Sequence, residues 1–108
     1  MRPPESKLSV TVVREGANTV LVLAGELDGY TAARFRERTV DLVHDARLHL
    51  IVDLADLQFV DSTGLGVLVS ELKSVRRFGG DMVLRAPTAA VRRTIELVGL
   101  DRALPILD

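Results

Sequence analysis

Residues 48–68 read L-H-L-I-V-D-L-A-D-L-Q-F-V-D-S-T-G-L-G-V-L. The first seven of these, residues 48–54, are largely apolar, which is typical of a strand covered on both faces. From position 65 onward, apolar side chains recur at helical spacing, at Leu65, Leu68, Val69, Leu72 and Val75. The pattern therefore predicts a buried strand, a connection over residues 55–60, and a helix that ends at the glycine pair 79–80.

The chain before this stretch predicts a hairpin and a helix. Residues 8–12 alternate between apolar and polar, and residues 19–24 read T-V-L-V-L-A, so we expect two strands paired across a turn at 15–18. A loop over residues 25–30 leads into a helical pattern, for which Thr31 is a suitable N-cap. The apolar face of that helix is predicted from Ala32, Phe35, Thr39, Leu42 and Val43.

The chain after this stretch predicts a strand over residues 82–85, a third helix that starts at Pro87-Thr88 and ends at Gly99, and an edge strand within residues 102–107. The element order is β-β-α-β-α-β-α-(β). Strands that alternate with helices predict an α/β fold whose later strands are parallel. We expect a flexible leader over residues 1–7 and one domain over residues 8–108, with a mixed sheet of four to five strands and about three helices.

Length and composition exclude several classes of protein. The 108 residues are 47% hydrophobic and 27% charged, which suits one ordinary globular core. The net charge of −1 lacks the basic excess typical of a nucleic-acid binder, and the chain has no cysteine. The apolar runs are far shorter than the roughly 20 residues that span a bilayer, and no signal peptide is visible. We therefore expect a cytoplasmic protein that binds neither membrane nor nucleic acid.

The sequence lacks the parts of most catalytic sites. Gly64-Leu65-Gly66 is an incomplete dinucleotide motif, and no phosphate-binding loop with a glycine-lysine pair occurs. Ser62 with His44 or His49 would be the remaining hydrolase hypothesis, but the spacing does not fit a nucleophile elbow. The same two histidines make a poor metal pair. We expect no enzyme activity, no cofactor and no bound metal.

The segment that begins at Asp61 supports two interpretations. Asp61, Ser62 or Thr63 can cap the helix, and the two glycines can allow tight packing. Yet each glycine in a helix costs about 1 kcal/mol relative to alanine, which suggests that something approaches this backbone closely. The alternative interpretation is a phosphorylation switch, since a hydroxyl at a helix start is accessible and free N–H groups there can receive a phosphate.

Three separated stretches resemble the STAS domain, and within it the bacterial anti-sigma factor antagonists. They are Gly25-Glu26-Leu27-Asp28 followed by Thr31-Ala32, then residues 60–68 (V-D-S-T-G-L-G-V-L), and Phe78-Gly79-Gly80 before a strand. The resemblance runs through about residues 8–107. It implies a protein that, when unphosphorylated, binds an anti-sigma factor which is also a serine kinase, and so frees a sigma factor to direct transcription. Phosphorylation by that kinase reverses the binding, and a phosphatase resets the cycle.

The resemblance also implies roles for individual residues. Ser62 matches the phosphoacceptor serine, with Thr63 as a competing hydroxyl. Asp28 matches an acidic residue near that serine that helps the kinase recognise it, although an Asx-type turn would explain Asp28 equally well. Gly64 and Gly66 match glycines that let the partner approach. The expected partner-binding set is Asp28, Asp61, Ser62, Thr63, Gly64, Leu65 and Gly66.

Other STAS domains suggest an alternative function. Some are structural subunits of stress-sensing assemblies or lipid-transport complexes, and such a scaffold would not exchange partners when ATP is added. For the switching function we expect a monomer or weak dimer.

Overall fold

The computed structural model describes residues 7–107, which form one five-stranded sheet with three α-helices and a short 3₁₀ helix. The predicted order of elements is confirmed. Residues 1–6 of the expected leader and Asp108 lie outside the described residues. The strands are β1 (Leu8–Glu15), β2 (Asn18–Leu27), β3 (His49–Val60), β4 (Asp81–Arg85) and β5 (Ile106–Leu107). The helices are α1 (Ala32–Thr39), α2 (Ser62–Arg77) and α3 (Ala89–Leu97), and the 3₁₀ helix is Leu100–Arg102.

The strands lie in the sheet in chain order, from β1 at one edge to β5 at the other. The β1–β2 pair is antiparallel, as the hairpin pattern predicts, and the three remaining pairs are parallel. The hairpin closes on the pair Glu15 and Asn18, and Gly16 in its turn has φ of 60°, a left-handed conformation that glycine adopts without strain.

The core lies between the sheet and the helices. Helix α1 contacts α2 and β1, while α2 contacts β3 and β4. Alternate residues of the central strands point into this layer. Ile51, on the opposite face of β3, is buried as well, so apolar residues occur on both faces and the run is nearly continuous. Fully buried members of the core include Phe35, Leu50, Val52, Leu68 and Leu84.

Strands β2 and β3 are both longer than the sequence predicts. β2 continues through Leu27, and β3 continues through Val60, so the expected connection over residues 55–60 is wrong. The two strands remain paired there, with Gly25 opposite Leu57 and Leu27 opposite Val60, but the register shifts twice along the way. Each shift interrupts the two-residue alternation by which a strand is recognised, which is why these segments resemble loops in sequence.

Helix α1 is shorter than predicted, because it ends at Thr39 rather than continuing through Val43. The chain then turns, and the N–H groups of Leu42 and Val43 donate to the Thr39 carbonyl. Val43 is still buried, so the apolar spacing reports a buried face correctly although the backbone is no longer α-helical. Thr31 precedes the helix but its side chain does not cap it, which corrects the N-cap prediction.

One ion-paired cluster links three strands. The Arg85 guanidinium donates to Asp53 Oδ2 at 2.9 Å and to Glu15 Oε1 at 3.0 Å, which joins β4 to β3 and to the tip of the β1–β2 hairpin. These contacts lower the pKa of the Glu15 carboxyl and raise that of the Arg85 guanidinium. Asp53 is thereby held in a structural pair.

Candidate functional site

The candidate site lies where β2 and β3 end side by side. Leu27 and Val60 are partners in the parallel ladder, so the residues that follow them emerge at the same edge of the sheet. Asp28 begins the loop that leads to α1, and Asp61 directly precedes α2. The Asp61 N–H donates to the Leu27 carbonyl at 3.3 Å, which ties the two segments together.

Asp61 is the N-cap of α2. Its backbone is extended, and its Oδ1 accepts a hydrogen bond from the Gly64 N–H at 2.8 Å. This bond uses one of the backbone donors that a helix start leaves free. The sequence interpretation that Asp61, Ser62 or Thr63 caps this helix is resolved in favour of Asp61.

Ser62 and Thr63 are the first two residues of α2, and both are exposed. Among residues 7–107 neither hydroxyl has a hydrogen-bond partner, so both are accessible to another protein. The position that a side-chain carbon would take at Gly29 lies 4.0 Å from the Thr63 hydroxyl oxygen. The loop after β2 therefore comes close to Thr63 on one side of the helix start.

Asp28 is fully buried, and it organises this loop. Its Oδ1 accepts hydrogen bonds from the N–H groups of Tyr30 at 2.9 Å and Thr31 at 3.1 Å, which is the Asx-type turn anticipated as one explanation of this residue. The Thr31 hydroxyl also bonds to this loop: it accepts a hydrogen bond from the Asp28 N–H at 3.0 Å and donates one to the Glu26 carbonyl at 2.8 Å. The Thr31 side chain therefore serves the loop, which explains why it does not cap α1.

The two glycines of α2 differ in their surroundings. Gly64 is buried, and a side chain there would overlap the Leu27 carbonyl. The close approach expected at this backbone is thus made by the chain itself. Around Gly66 nothing lies within 4 Å of the position of an added side-chain carbon, so Gly66 faces open space.

The expected partner-binding residues divide by exposure. Ser62, Thr63 and Gly66 are exposed and Asp61 is partly exposed. By contrast, Asp28, Gly64 and Leu65 are buried beneath them. The structure therefore brings all seven to one edge of the sheet, but only four of them present atoms at the surface.

Two aromatic residues at this edge are not among the candidates from the sequence. Tyr30, in the loop after Asp28, is 55% exposed, and Phe59, the penultimate residue of β3, is 37% exposed. Exposed aromatic rings are enriched in protein-binding surfaces. The available signal was their place outside the predicted helices and strands: Tyr30 falls in the predicted loop over residues 25–30 and Phe59 in the predicted connection over residues 55–60.

The histidines lie away from Ser62. His44 packs against Phe78, with ring centroids 4.4 Å apart, and Phe78 follows the last residue of α2, a helix of 16 residues. At 1.5 Å per residue this places the pair roughly 24 Å along the helix from Ser62. His49 is the first residue of β3, whereas Ser62 follows the end of that strand. The geometry therefore offers Ser62 no histidine base, and no group of three metal-ligating side chains occurs within residues 7–107.

Comparison with known proteins agrees with these features. The STAS domain family matches residues 9–108. The anti-sigma-B factor antagonist of Bacillus subtilis (strain 168) is 35% identical over 95 residues, which cover 87% of this chain and 86% of that protein. The anti-sigma-F factor antagonist RsfB of Mycobacterium tuberculosis (strain H37Rv) is 34% identical over 111 residues, covering 100% of this chain and 87% of that protein.

A solved structure gives the same result for the fold. The crystal structure of an anti-sigma factor antagonist from Mycobacterium paratuberculosis superimposes with a TM-score of 0.83 at 27% identity, covering 98% of this chain and 89% of that one. Within the described part of the chain, no helix has the length and apolar character needed to cross a bilayer. With its mixed sheet, its Asp28 loop and its exposed serine at the start of α2, the chain belongs to the STAS domain family and is a relative of the anti-sigma factor antagonists.

Proposed function

We propose that this protein is an anti-sigma factor antagonist controlled by phosphorylation of Ser62. In its unphosphorylated form it binds an anti-sigma factor that has serine-kinase activity. The anti-sigma factor then releases its sigma factor, which directs transcription. Phosphorylation by that kinase ends the binding, and a phosphatase restores it. The proposal rests chiefly on one observation, the exposed Ser62 hydroxyl at the first position of α2.

The surroundings of Ser62 suit a switch that works without refolding. The start of α2 is fixed on its buried side by the Asp61 cap and by the contact of Gly64 with Leu27. A modified Ser62 would therefore stay at the surface. A phosphate adds about −1.5 to −2 charges. One pair of unit charges about 5 Å apart is worth ~3 kcal/mol at an effective dielectric constant near 20, which changes affinity by roughly a hundredfold.

Asp61 adds to this effect. Its carboxylate already accepts the Gly64 N–H, so a phosphate on Ser62 meets a neighbouring carboxylate and has one backbone donor fewer to bind. Repulsion between the two groups favours a phosphate that points away from the helix, toward the partner. This is the direction in which the added charge has most influence on docking.

Asp28 acts in this proposal as a positioning residue. Because it is buried, it serves recognition by fixing the loop from Asp28 to Thr31, in which Gly29 lies close to Thr63 and Tyr30 is exposed. Exposed Phe59 contributes a second apolar contact at the same edge.

A pull-down with and without ATP tests the proposal. The tagged protein is incubated with lysate of its own organism, captured proteins are identified, and the tryptic peptide 48–73 is examined by mass spectrometry. We expect an anti-sigma factor kinase to be retained without ATP and lost with ATP, together with one phosphate on Ser62. Ser62→Ala should stay bound in ATP, and Ser62→Asp should not bind.

Thr63→Val is the matched control, since it removes the neighbouring hydroxyl and keeps a β-branched side chain. It should still acquire one phosphate, on Ser62, when it is incubated with the kinase and ATP. Phosphate found on Thr63 in the Ser62→Ala protein would contradict the acceptor assignment. A stable large assembly that ATP does not change would favour the scaffold function instead.

A further inference from the structure

The outer edge of β1 has backbone groups that no strand among residues 7–107 pairs with, because β1 is the first strand of the sheet. The register shows which groups these are. The hairpin closes on Glu15 and Asn18, and in the same register the Glu26 N–H donates to the Lys7 carbonyl at 2.8 Å. Odd-numbered residues of β1 therefore bond to β2, while the N–H and C=O groups of even-numbered residues point outward.

Helix α1 supplies an independent check of this direction. The Arg34 guanidinium donates to the Leu8 carbonyl at 3.3 Å, so that carbonyl does point away from β2. The backbone groups of Val10 and Val12 lie further along the same edge. They form a short row of outward donors and acceptors.

Cationic side chains flank this edge. A groove between β1 and α1, which we call the β1-edge groove, contains Lys7, Arg34 and Arg38, and no carboxylate is among its described lining residues. Arg34 and Arg38 are four residues apart on α1, so both lie on the side of the helix that faces the groove.

We propose that the β1-edge groove binds an extended acidic segment of a partner protein, which pairs with the outer edge of β1 as an additional strand. Val10 and Val12 supply the backbone hydrogen bonds, and acidic side chains on the α1 side of the added strand meet Arg34 and Arg38. Alternation of acidic and apolar residues fits best, because successive side chains of a strand point to opposite faces.

Features of the groove favour this occupant over others. A second copy of the chain would bring the same cations together across the new pair, and like charges there are unfavourable. A polyanion such as nucleic acid would use the cations but not the row of backbone groups. The inference goes beyond the proposed switch, since the groove lies on β1 and does not include Ser62.

Peptide binding to the full-length protein tests the proposal. Fluorescence anisotropy is measured with a labelled peptide of alternating Glu and Val, with a peptide of the same composition arranged in two blocks, and with a Lys-Val alternating peptide. We expect the first to bind at least about tenfold more tightly than either control. Amide hydrogen exchange should slow at Val10 and Val12 when it binds.

Variants separate pairing from charge. The Val12 N–H makes no bond to β2, so Val12→Pro should keep the hairpin and block the added strand. If Val12→Pro does not fold, amide hydrogen exchange in the wild type tests the pairing instead, and unchanged exchange at Val10 and Val12 on peptide binding would exclude the added strand. The double variant Arg34→Glu with Arg38→Glu should also weaken binding about tenfold or more, whereas Arg93→Glu, at an exposed position on α3, should not.

Equal binding of the alternating and blocked peptides would overturn the proposal, as would full binding by folded Val12→Pro. Tighter binding of a single-stranded oligonucleotide or of phosphatidylglycerol vesicles, dependent on Arg34 and Arg38, would also overturn it. Phosphorylation plays no part in these measurements, so their failure would leave the Ser62 switch untouched.

Discussion

The Leu27 carbonyl occupies the space that a side chain at Gly64 would need, so the last residue of β2 touches the first turn of α2 directly. This contact joins the loop that begins at Asp28 to the helix that begins at Ser62. The relative position of the two segments is thereby fixed by backbone atoms rather than by adaptable side chains. Substitutions at Gly64, Asp61 and Asp28 test how the site depends on this arrangement.

Gly64→Ala should destabilise the protein by about 1–3 kcal/mol, because the added methyl group overlaps backbone that cannot move easily. Gly66→Ala is the matched control: it faces open space on an exposed part of the same helix and should stabilise by up to about 1 kcal/mol. Urea denaturation of both variants measures the difference. Equal effects would mean that the Leu27 contact does not restrict position 64.

Asp61→Ala should cost about 1 kcal/mol of unfolding free energy, because the Gly64 N–H loses its capping acceptor. Asp61→Asn retains a side-chain oxygen and should recover most of the loss. Thermal unfolding followed by circular dichroism gives both values. If Asn were as destabilising as Ala, the carboxylate charge rather than the hydrogen bond would be responsible.

Asp28→Ala should destabilise the loop by about 1–3 kcal/mol, since the N–H groups of Tyr30 and Thr31 lose their side-chain acceptor. It should also lower the rate of Ser62 phosphorylation by the captured kinase. Asp28→Asn can keep the Oδ1 acceptor, so it should preserve the fold. A phosphorylation rate that falls as far in Asn as in Ala would show that the kinase reads the charge of Asp28 and not the shape of the loop.

Glu71 gives the unfolding free energy a specific pH dependence. Its carboxyl on α2 is buried and lies 2.9 Å from the Thr39 hydroxyl of α1. Burial raises its pKa above the ordinary 4.5, against the smaller opposing effects of the Thr39 hydrogen bond and the Arg36 charge. The folded state therefore holds this proton more tightly than the unfolded chain.

The sign of the effect follows from that difference in proton affinity. The contribution of Glu71 to stability is fully present below pH 4.5 and is lost as the pH rises through the raised pKa of the folded state. Glu71→Gln should abolish this decline. The difference in unfolding free energy between Glu71→Gln and the wild type should therefore shift in favour of the variant as the pH rises from acid to neutral. Chemical denaturation at a series of pH values measures it, and parallel curves for the two proteins would contradict the prediction.

The effect of Glu71 is the difference in unfolding free energy between the wild type and Glu71→Gln, because other carboxylates also make the stability depend on pH. The pKa values of Glu15 and Asp81 are lowered, by Arg85 and by the Met82 N–H respectively, so these carboxylates act in the opposite direction with pH. Both are present in the wild type and in Glu71→Gln, and their effects cancel in the difference.

Most of the helices and strands can be predicted from the sequence. Apolar spacing predicts all three helices and four of the strands, and the edge strand follows from the tolerance of an edge for Pro105. These inferences succeed because side-chain periodicity and turn residues act locally. Where pairing adds a register shift, as between β2 and β3, the periodicity is broken and residues 55–60 cannot be recognised as strand.

The sequence by itself determined the order of elements, the helix start at residues 61–63 and the presence of a hydroxyl there. Only the tertiary structure decided which side chains of the site are accessible: it buries Asp28 and Gly64 and leaves Ser62 and Gly66 exposed. The physical reason is that β2 and β3 are separated in the chain by α1, and their parallel pairing brings Leu27 against the start of α2. Burial at that contact depends on distances between segments that local sequence does not encode.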